Sequence, residues 1–371
     1  MTTAQPGTCP ITADFLPPQM RKHVDPAAPV PLRMMAAKGL VPLSPADLLG
    51  ALFMLTFDPE ASLRETAAKT AEGLPDRILS TALREESIAP VVLSWCVSLY
   101  GARDAYAEML LLNASTPDEA VAGLAGSCSV KLAELIGENQ LRLLRHPDIV
   151  RQLVQNPNAS AALVDRVCDF AVRSGLVLED VAPMQEARVR IYGPEVAAQP
   201  IDLGPTAEEV LRDFGVGAEA AETLEETGRL NLTQRILRMS IAEKIKLATL
   251  GNKEARGILL RDSNKLVAVA AIRSPRLTDA EVMAQANSRN AHEDVLRVVY
   301  TNKEWTKDYQ VKLALVKNPK VPVAITMKFL NTLRESDVKD LAKNKNVSTG
   351  IQTLARRMMD KKNVPKSGAK K

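Results

Sequence analysis

The stretch Leu313-Ala314-Leu315-Val316-Lys317-Asn318-Pro319-Lys320-Val321-Pro322-Val323-Ala324-Ile325-Thr326-Met327-Lys328-Phe329-Leu330 holds the pattern on which the fold turns. An apolar run with helical spacing stops at Asn318. Pro319 and Lys320 follow in a turn, and four residues after the Asn a second Pro stands where a new helix can begin, because a proline in the first turn forfeits no intrahelical hydrogen bond. Ile325, Phe329 and Leu330 then recur at helical intervals.

The same phrase is written elsewhere in the chain. Asn113 leads to Pro117, Ala120, Val121 and Leu124; Asn156 leads to Ser160, Leu163, Val164 and Val167; Ser274 leads to Thr278, Val282 and Met283. Asn302 leads to Thr306, Tyr309 and Val311, and Asn344 to Ser348, Ile351 and Leu354, with a looser copy at Pro90, Val92, Leu93 and Val97. The Asn is expected to end a helix by adopting the left-handed conformation, which it tolerates better than most residues. Ser, Thr or Pro then caps or opens the next helix. The helix starts at 90, 117, 278, 306, 322 and 348 are 16 to 28 residues apart where they are consecutive, and the wider intervals 117–160 and 278–322 are 43 and 44 residues. Periods in this range describe arrays of helix pairs, in which each unit buries its apolar face on the next.

Working outward, Ser44-Pro45-Ala46-Asp47 reads as a helix start, with Ser as cap, Pro in the first turn and Asp at the positive end of the helix dipole. Leu48, Leu49, Leu52 and Leu55 follow at helical spacing. Residues 1–30 carry Pro6, Pro10, Pro17, Pro18, Pro26 and Pro29 without periodicity and read as a flexible N-terminal segment. Residues 31–180 form an N-terminal helical array. Residues 181–205, with Pro183, Gly193, Pro194, Pro200, Gly204 and Pro205, read as a linker. Thr206-Ala207-Glu208-Glu209 is a capping box that restarts the helices, Gly215 and Gly217 interrupt them, and a second array runs over 206–360. Residues 361–371 form a basic tail. The predicted fold is all-α, a HEAT-like α-solenoid in two helical arrays.

Composition agrees. Of 371 residues, 46% are hydrophobic but only 4% aromatic, a mixture dominated by Ala, Leu, Val and Met that suits close helix packing better than strands. No stretch has the length of a membrane span: the longest apolar run, Leu48 to Phe57, is about half what a bilayer requires. The amino terminus lacks the pattern of a signal peptide. Cys9, Cys96, Cys128 and Cys168 form no CxxC pair, and Cys96 and Cys168 read as small core residues. A reducing, cytoplasmic setting is expected. The net charge of +4 is unevenly spread: residues 301–371 hold 17 Lys or Arg against 6 Asp or Glu, so a basic end follows an acidic body.

No catalytic constellation emerges. His23, His146 and His292 are scattered, without a carboxylate or Cys at ligand spacing. Gly215-Val-Gly217 fails the dinucleotide fingerprint, and Glu222, Glu225 and Glu226 read as a solvated helix face. No cofactor or metal is expected. The candidate partner-binding residues are Trp305, Lys307, Lys312, Lys317, Lys320 and Lys343, with Tyr309, Lys328, Lys339 and Lys345 around them, since equivalent Lys positions of successive repeats would align into a row able to hold a polyanion or an acidic protein.

The phrase Asp58-Pro59-Glu60-Ala61-Ser62-Leu63-Arg64-Glu65-Thr66-Ala67 resembles the second-helix signature of HEAT repeats, and the Asn-Pro phrases resemble the leucine-rich repeat variant, another all-helical array. Gly251-Asn-Lys-Glu-Ala-Arg256 and Leu313 to Pro319 are similar to phrases of uncharacterised bacterial proteins of deltaproteobacterial type. The resemblance implies a helical-repeat scaffold or adaptor that binds another protein through a concave face. The alternative is a nucleic-acid-binding repeat protein, repair-related, that uses the basic C-terminal array.

Overall fold

A computed structural model describes residues 8–197, 204–214, 226–344, 347 and 349–363. Gly215, Gly217, Glu222, Glu225, Lys345, Ser348 and the tail beyond residue 363 lie outside them. Every regular element among the described residues is helical. The chain divides into two compact units, Met1–Arg173 with Val177–Ala198, and Ser174–Leu176 with Gln199–Lys371.

In the first unit the helix Pro45–Leu55 starts as its sequence dictates. The Ser44 hydroxyl accepts from the Asp47 amide, and Leu48, Leu49, Leu52 and Leu55 are buried. This helix packs on Ala61–Glu72 and on Asp76–Ala82, while Val30–Ala37 packs on both Pro45–Leu55 and Ala61–Glu72. Farther along, Asp118–Ala125 lies against Asp148–Gln155, and Val130–Glu138 contacts Asp104–Leu112.

Two expectations for this unit are corrected. Residues 8–30 are not a loose lead-in: they form the short 3-10 helices Ala13–Phe15 and Arg21–His23, and Leu16, Val24 and His23 are buried in the core. Proline fixes φ and suits tight turns, so a proline-rich segment can pack without helical periodicity. The Phe15 ring lies so close to Gly50 that a Cβ there would sit 2.6 Å from it, so glycine lets the segment dock on Pro45–Leu55. The expected linker carries the helix Ala182–Tyr192, which packs on Ala161–Arg173 and buries Met184 and Ala187. Pro183 lies in the first turn, where its missing N–H costs nothing, so it opens a helix and does not break one. Gly193, with φ of +82°, ends it.

In the second unit helices alternate between two rows. One row runs Ala207–Phe214, Ile241–Leu250, Lys265–Ile272 and Glu293–Thr301, each packed on the next. The other contains Lys253–Leu259, Asp279–Asn287, Tyr309–Lys317 and Glu335–Lys343, of which Asp279–Asn287 packs on Tyr309–Lys317, while the Arg256–Glu281 and Tyr309–Asp337 side-chain bonds link the outer two to them. The Thr206/Glu209 capping box forms as read, each residue's amide donating to the other's side chain. A second box, Thr278 with Glu281, opens Asp279–Asn287.

The helix-ending residues overturn the left-handed expectation. Asn113, Asn156, Asn302, Asn318 and Asn344 all have negative φ, between −82° and −68°, with ψ from 110° to 121°. Their side chains explain the choice of Asn. The Asn318 amide donates to the Ala286 and Ser288 carbonyls, both at 2.9 Å, while its Oδ1 accepts from the Lys320 amide at 3.0 Å. Asn113 does the same with Leu83, Glu85 and Ser115, and Asn156 with Ala125, Cys128 and Asn158. The residue two places on adds a further bond back: Ser115 to the Glu86 carbonyl, Asn158 to Cys128, Lys320 to Ala291 and, after Ser274, Arg276 to Leu250. The joints at Asn113, Asn156 and Asn318 are thus stitched to the joint before them, satisfying carbonyls that a helix end leaves open, whereas the Asn302 side chain accepts from the Glu304 and Trp305 amides of its own turn.

Candidate functional site

Buried arginine–carboxylate pairs tie helices together in both units. Arg33 meets Asp58 through both carboxylate oxygens and also donates to the Ala28 carbonyl. Arg64, of the HEAT-like phrase, donates to the Asp58 and Pro59 carbonyls and not to the Asp58 carboxylate. Arg142 reaches the Asp118 carboxylate and the Thr116 and Asn113 carbonyls, so it clamps the Asn113 joint, and Arg145 shares the same carboxylate. Burial pushes the Asp118 carboxyl up, but Arg145 and Arg142 outweigh it and hold it below the usual range. Arg256 holds Glu281 with two parallel bonds of 3.1 and 3.0 Å and donates to the Gly251 carbonyl. Burial likewise raises the Glu281 carboxyl, and the bonds from Arg256 and Thr278 bring it below its ordinary value.

The candidate binding residues fall into different environments. Trp305 is half-buried in the 3-10 turn Trp305–Lys307, and its amide donates to the Asn302 side chain. Lys307 stands 70% exposed, paired with Glu304 at 2.7 Å. Tyr309 is a structural tie: its hydroxyl donates to Asp337 and accepts from the Arg334 amide, while the Arg334 guanidinium covers its ring at 4.8 Å. Lys320 uses its ammonium on the Ala291 carbonyl at 2.9 Å. Lys312 is half-buried, whereas Lys317 and Lys343 are exposed and form no ion pair among the described residues. Lys312 and Lys317 do not share a face, since five residues along a helix turn through about 140° beyond a full revolution. The structure brings Lys317 and Lys343 into equivalent places: each immediately precedes the Asn that ends its helix, Asn318 buried and Asn344 half-buried.

Sequence reading missed two things. Val323 and Met327, 51% and 44% exposed, stand one turn apart on the helix Val323–Leu330, a feature visible only once that helix's buried face is known. His146 has a carboxylate neighbour, its Nε2 lying 3.8 Å from Asp148. His23, placed in a mobile segment by sequence, is buried with Nδ1 3.1 Å from the Met20 carbonyl. Cys96 and Cys168 are core residues, and burial pushes their thiols up to about 12 and about 11. Among the described residues no three His, Cys, Asp or Glu side chains are grouped to hold a metal ion, and no helix is long and apolar enough to cross a membrane.

Comparison with protein-family models, with curated proteins and with solved structures finds no match to this chain. The likeness to HEAT-like arrays and to deltaproteobacterial-type proteins therefore rests on the quoted phrases alone.

Proposed function

We propose that this chain is a non-enzymatic, cytoplasmic helical-repeat scaffold, a HEAT-like solenoid in two arrays, that binds another protein through the concave face its stacked helix pairs make. One observation carries the reading: how the side chains are allocated. The buried ionisable groups Arg33, Asp58, Arg142, Asp118, Arg256 and Glu281 are engaged in ties between helices. Apolar side chains such as Val323 and Met327 stand in solvent. A catalytic pocket would show the reverse, a poised group in a cleft. The cleft between Pro90–Tyr100 and Asp118–Ala125 is lined by Ser94, Ser98, Gly101, Ser127 and Cys128, whose thiol burial pushes up and so away from the thiolate, and its acidic residues Asp104 and Glu119 are first-turn residues suited to the helix dipole.

Cross-linking in intact cells, followed by nuclease treatment and mass spectrometry, tests this. The expected result is a reproducible protein partner that survives nuclease and is lost in the Val323→Glu/Met327→Glu variant. Recovery of partners only while nucleic acid is intact, or of none, would overturn it. The basic excess over residues 301–371 favours a second reading, nucleic-acid binding. In that case affinity falls steeply with salt, and removing Lys317 or Lys343 flattens the logarithmic slope by about 0.7–0.9 each.

A further inference from the structure

The second row of the C-terminal unit carries its helix ends on one edge. The Arg256 guanidinium holds both the Gly251 carbonyl, just before Lys253–Leu259, and Glu281, in the first turn of Asp279–Asn287, so the starts of those two helices lie together. Asn318, ending Tyr309–Lys317, bonds to the end of Asp279–Asn287. Tyr309 and Asp337 join the starts of Tyr309–Lys317 and Glu335–Lys343, which leaves their far ends on the same side. Four joints, at Asp262, Ser288, Asn318 and Asn344, therefore follow one another along this edge, 26, 30 and 26 residues apart in sequence.

Each joint presents an exposed cation beside its joint residue. Arg261, Lys317 and Lys343 stand immediately before theirs, and Arg289 immediately after Ser288. Lys320 adds its charge at the third joint. Of the acidic residues here, Asp262 is held by Lys244 at 2.8 Å and Asp294 pairs with Arg297 at 3.4 Å; Glu293 and Asp340, the latter three residues before Lys343, are exposed, and the exposed cations outnumber them. Val323 and Met327 begin directly beyond the Asn318 joint, so exposed apolar surface adjoins the cations.

We infer that this edge, Arg261–Arg289–Lys317–Lys343 with Val323 and Met327 beside it, is a docking surface for an acidic protein segment that also carries apolar side chains. The inference rests on the scaffold reading and names a partner class for it. Neighbouring packed helices lie about 8–10 Å apart, so the four cations span on the order of 25–30 Å. An extended segment advances about 3.3 Å per residue, and acidic residues three apart along it match the step of the ladder. The apolar pair decides between polyanions. A nucleic-acid backbone has nothing to bury on Val323 and Met327, and Trp305, the aromatic available for base stacking, follows Glu293–Thr301, a helix of the first row, whose end lies on the opposite edge.

The test uses the full chain and a fluorescent peptide of about 12 residues, with Glu at every third position and Leu between. The controls are the same peptide with Gln for every Glu, and labelled oligo(dT). Saturable binding of the acidic peptide is expected, at least tenfold tighter than either control. Arg261→Ser/Lys317→Ser/Lys343→Ser should weaken it at least tenfold and flatten its salt dependence. Val323→Ser/Met327→Ser should weaken it with the salt dependence unchanged. Lys253→Ser/Lys307→Ser, on the opposite edge, should leave it intact, and circular dichroism of each variant should match wild type. Equal binding of the Gln peptide, tighter binding of oligo(dT), or an unaffected triple variant would overturn the proposal. If the triple variant loses the peptide but keeps every cross-linked partner in cells, the edge is not the scaffold's contact and the proposal also fails, while the scaffold reading stands.

Discussion

Replacing Asn318 separates two accounts of why Asn ends these helices. Its side chain makes three hydrogen bonds, to the Ala286 and Ser288 carbonyls and from the Lys320 amide, and the residue is 3% exposed. Asn318→Ala removes all three and strands two carbonyls of the preceding joint. A net hydrogen bond contributes about 0.5–1.5 kcal/mol, and a buried group left unpaired costs about 1–3 kcal/mol. Water can reach part of the opened joint, so the expected loss is about 3 kcal/mol. The backbone, with φ of −82° and ψ of 121°, needs no left-handed conformer. Asn318→Gly should therefore be no better than Asn318→Ala, and slightly worse because glycine gains more freedom on unfolding. Urea unfolding followed by circular dichroism gives the stability, and hydrogen exchange at the Lys320 amide reports the joint itself. A Gly variant as stable as wild type, or an Ala variant within about 0.5 kcal/mol of it, would refute the stitch.

Leu16→Ala should cost about 2–5 kcal/mol by urea unfolding, because Leu16 is buried and not part of a mobile tail. Arg256→Met, which leaves Glu281 buried without its cation, should destabilise by about 3–5 kcal/mol, and adding Glu281→Leu should recover most of that loss. The carboxyls of Asp118 and Glu281 are held below their ordinary values, so the stability they add is complete above the unfolded range near pH 4 and is lost as pH falls through their folded values. Thermal melts from pH 6 to pH 2 should show a drop that Asp118→Asn/Glu281→Gln makes shallower. An unchanged acid profile in that variant would remove these two groups from the explanation.

Sequence alone determined what depends on neighbours three or four residues apart. The Ser44 cap, the Thr206/Glu209 box and the buried Leu48, Leu49, Leu52 and Leu55 were legible because helix caps and faces are local geometry. The recurrence of Asn was legible too, but not its reason. Its partners lie 28 to 32 residues earlier, and only the stacking of one helix on another brings them within 3.2 Å. The same holds for residues 8–30, whose burial comes from docking against Pro45–Leu55 and Val30–Ala37 and leaves no periodic trace, and for Ala182–Tyr192, whose Pro183 signals a break or a start depending on what packs beneath it. At the candidate site, residue type revealed that the C-terminal end is basic. Tertiary structure decided which cations reach another joint, as Lys320 does, and which stand free at the helix ends, as Lys317 and Lys343 do, because a lysine's role is set by the carbonyls and carboxylates that folding places within its reach.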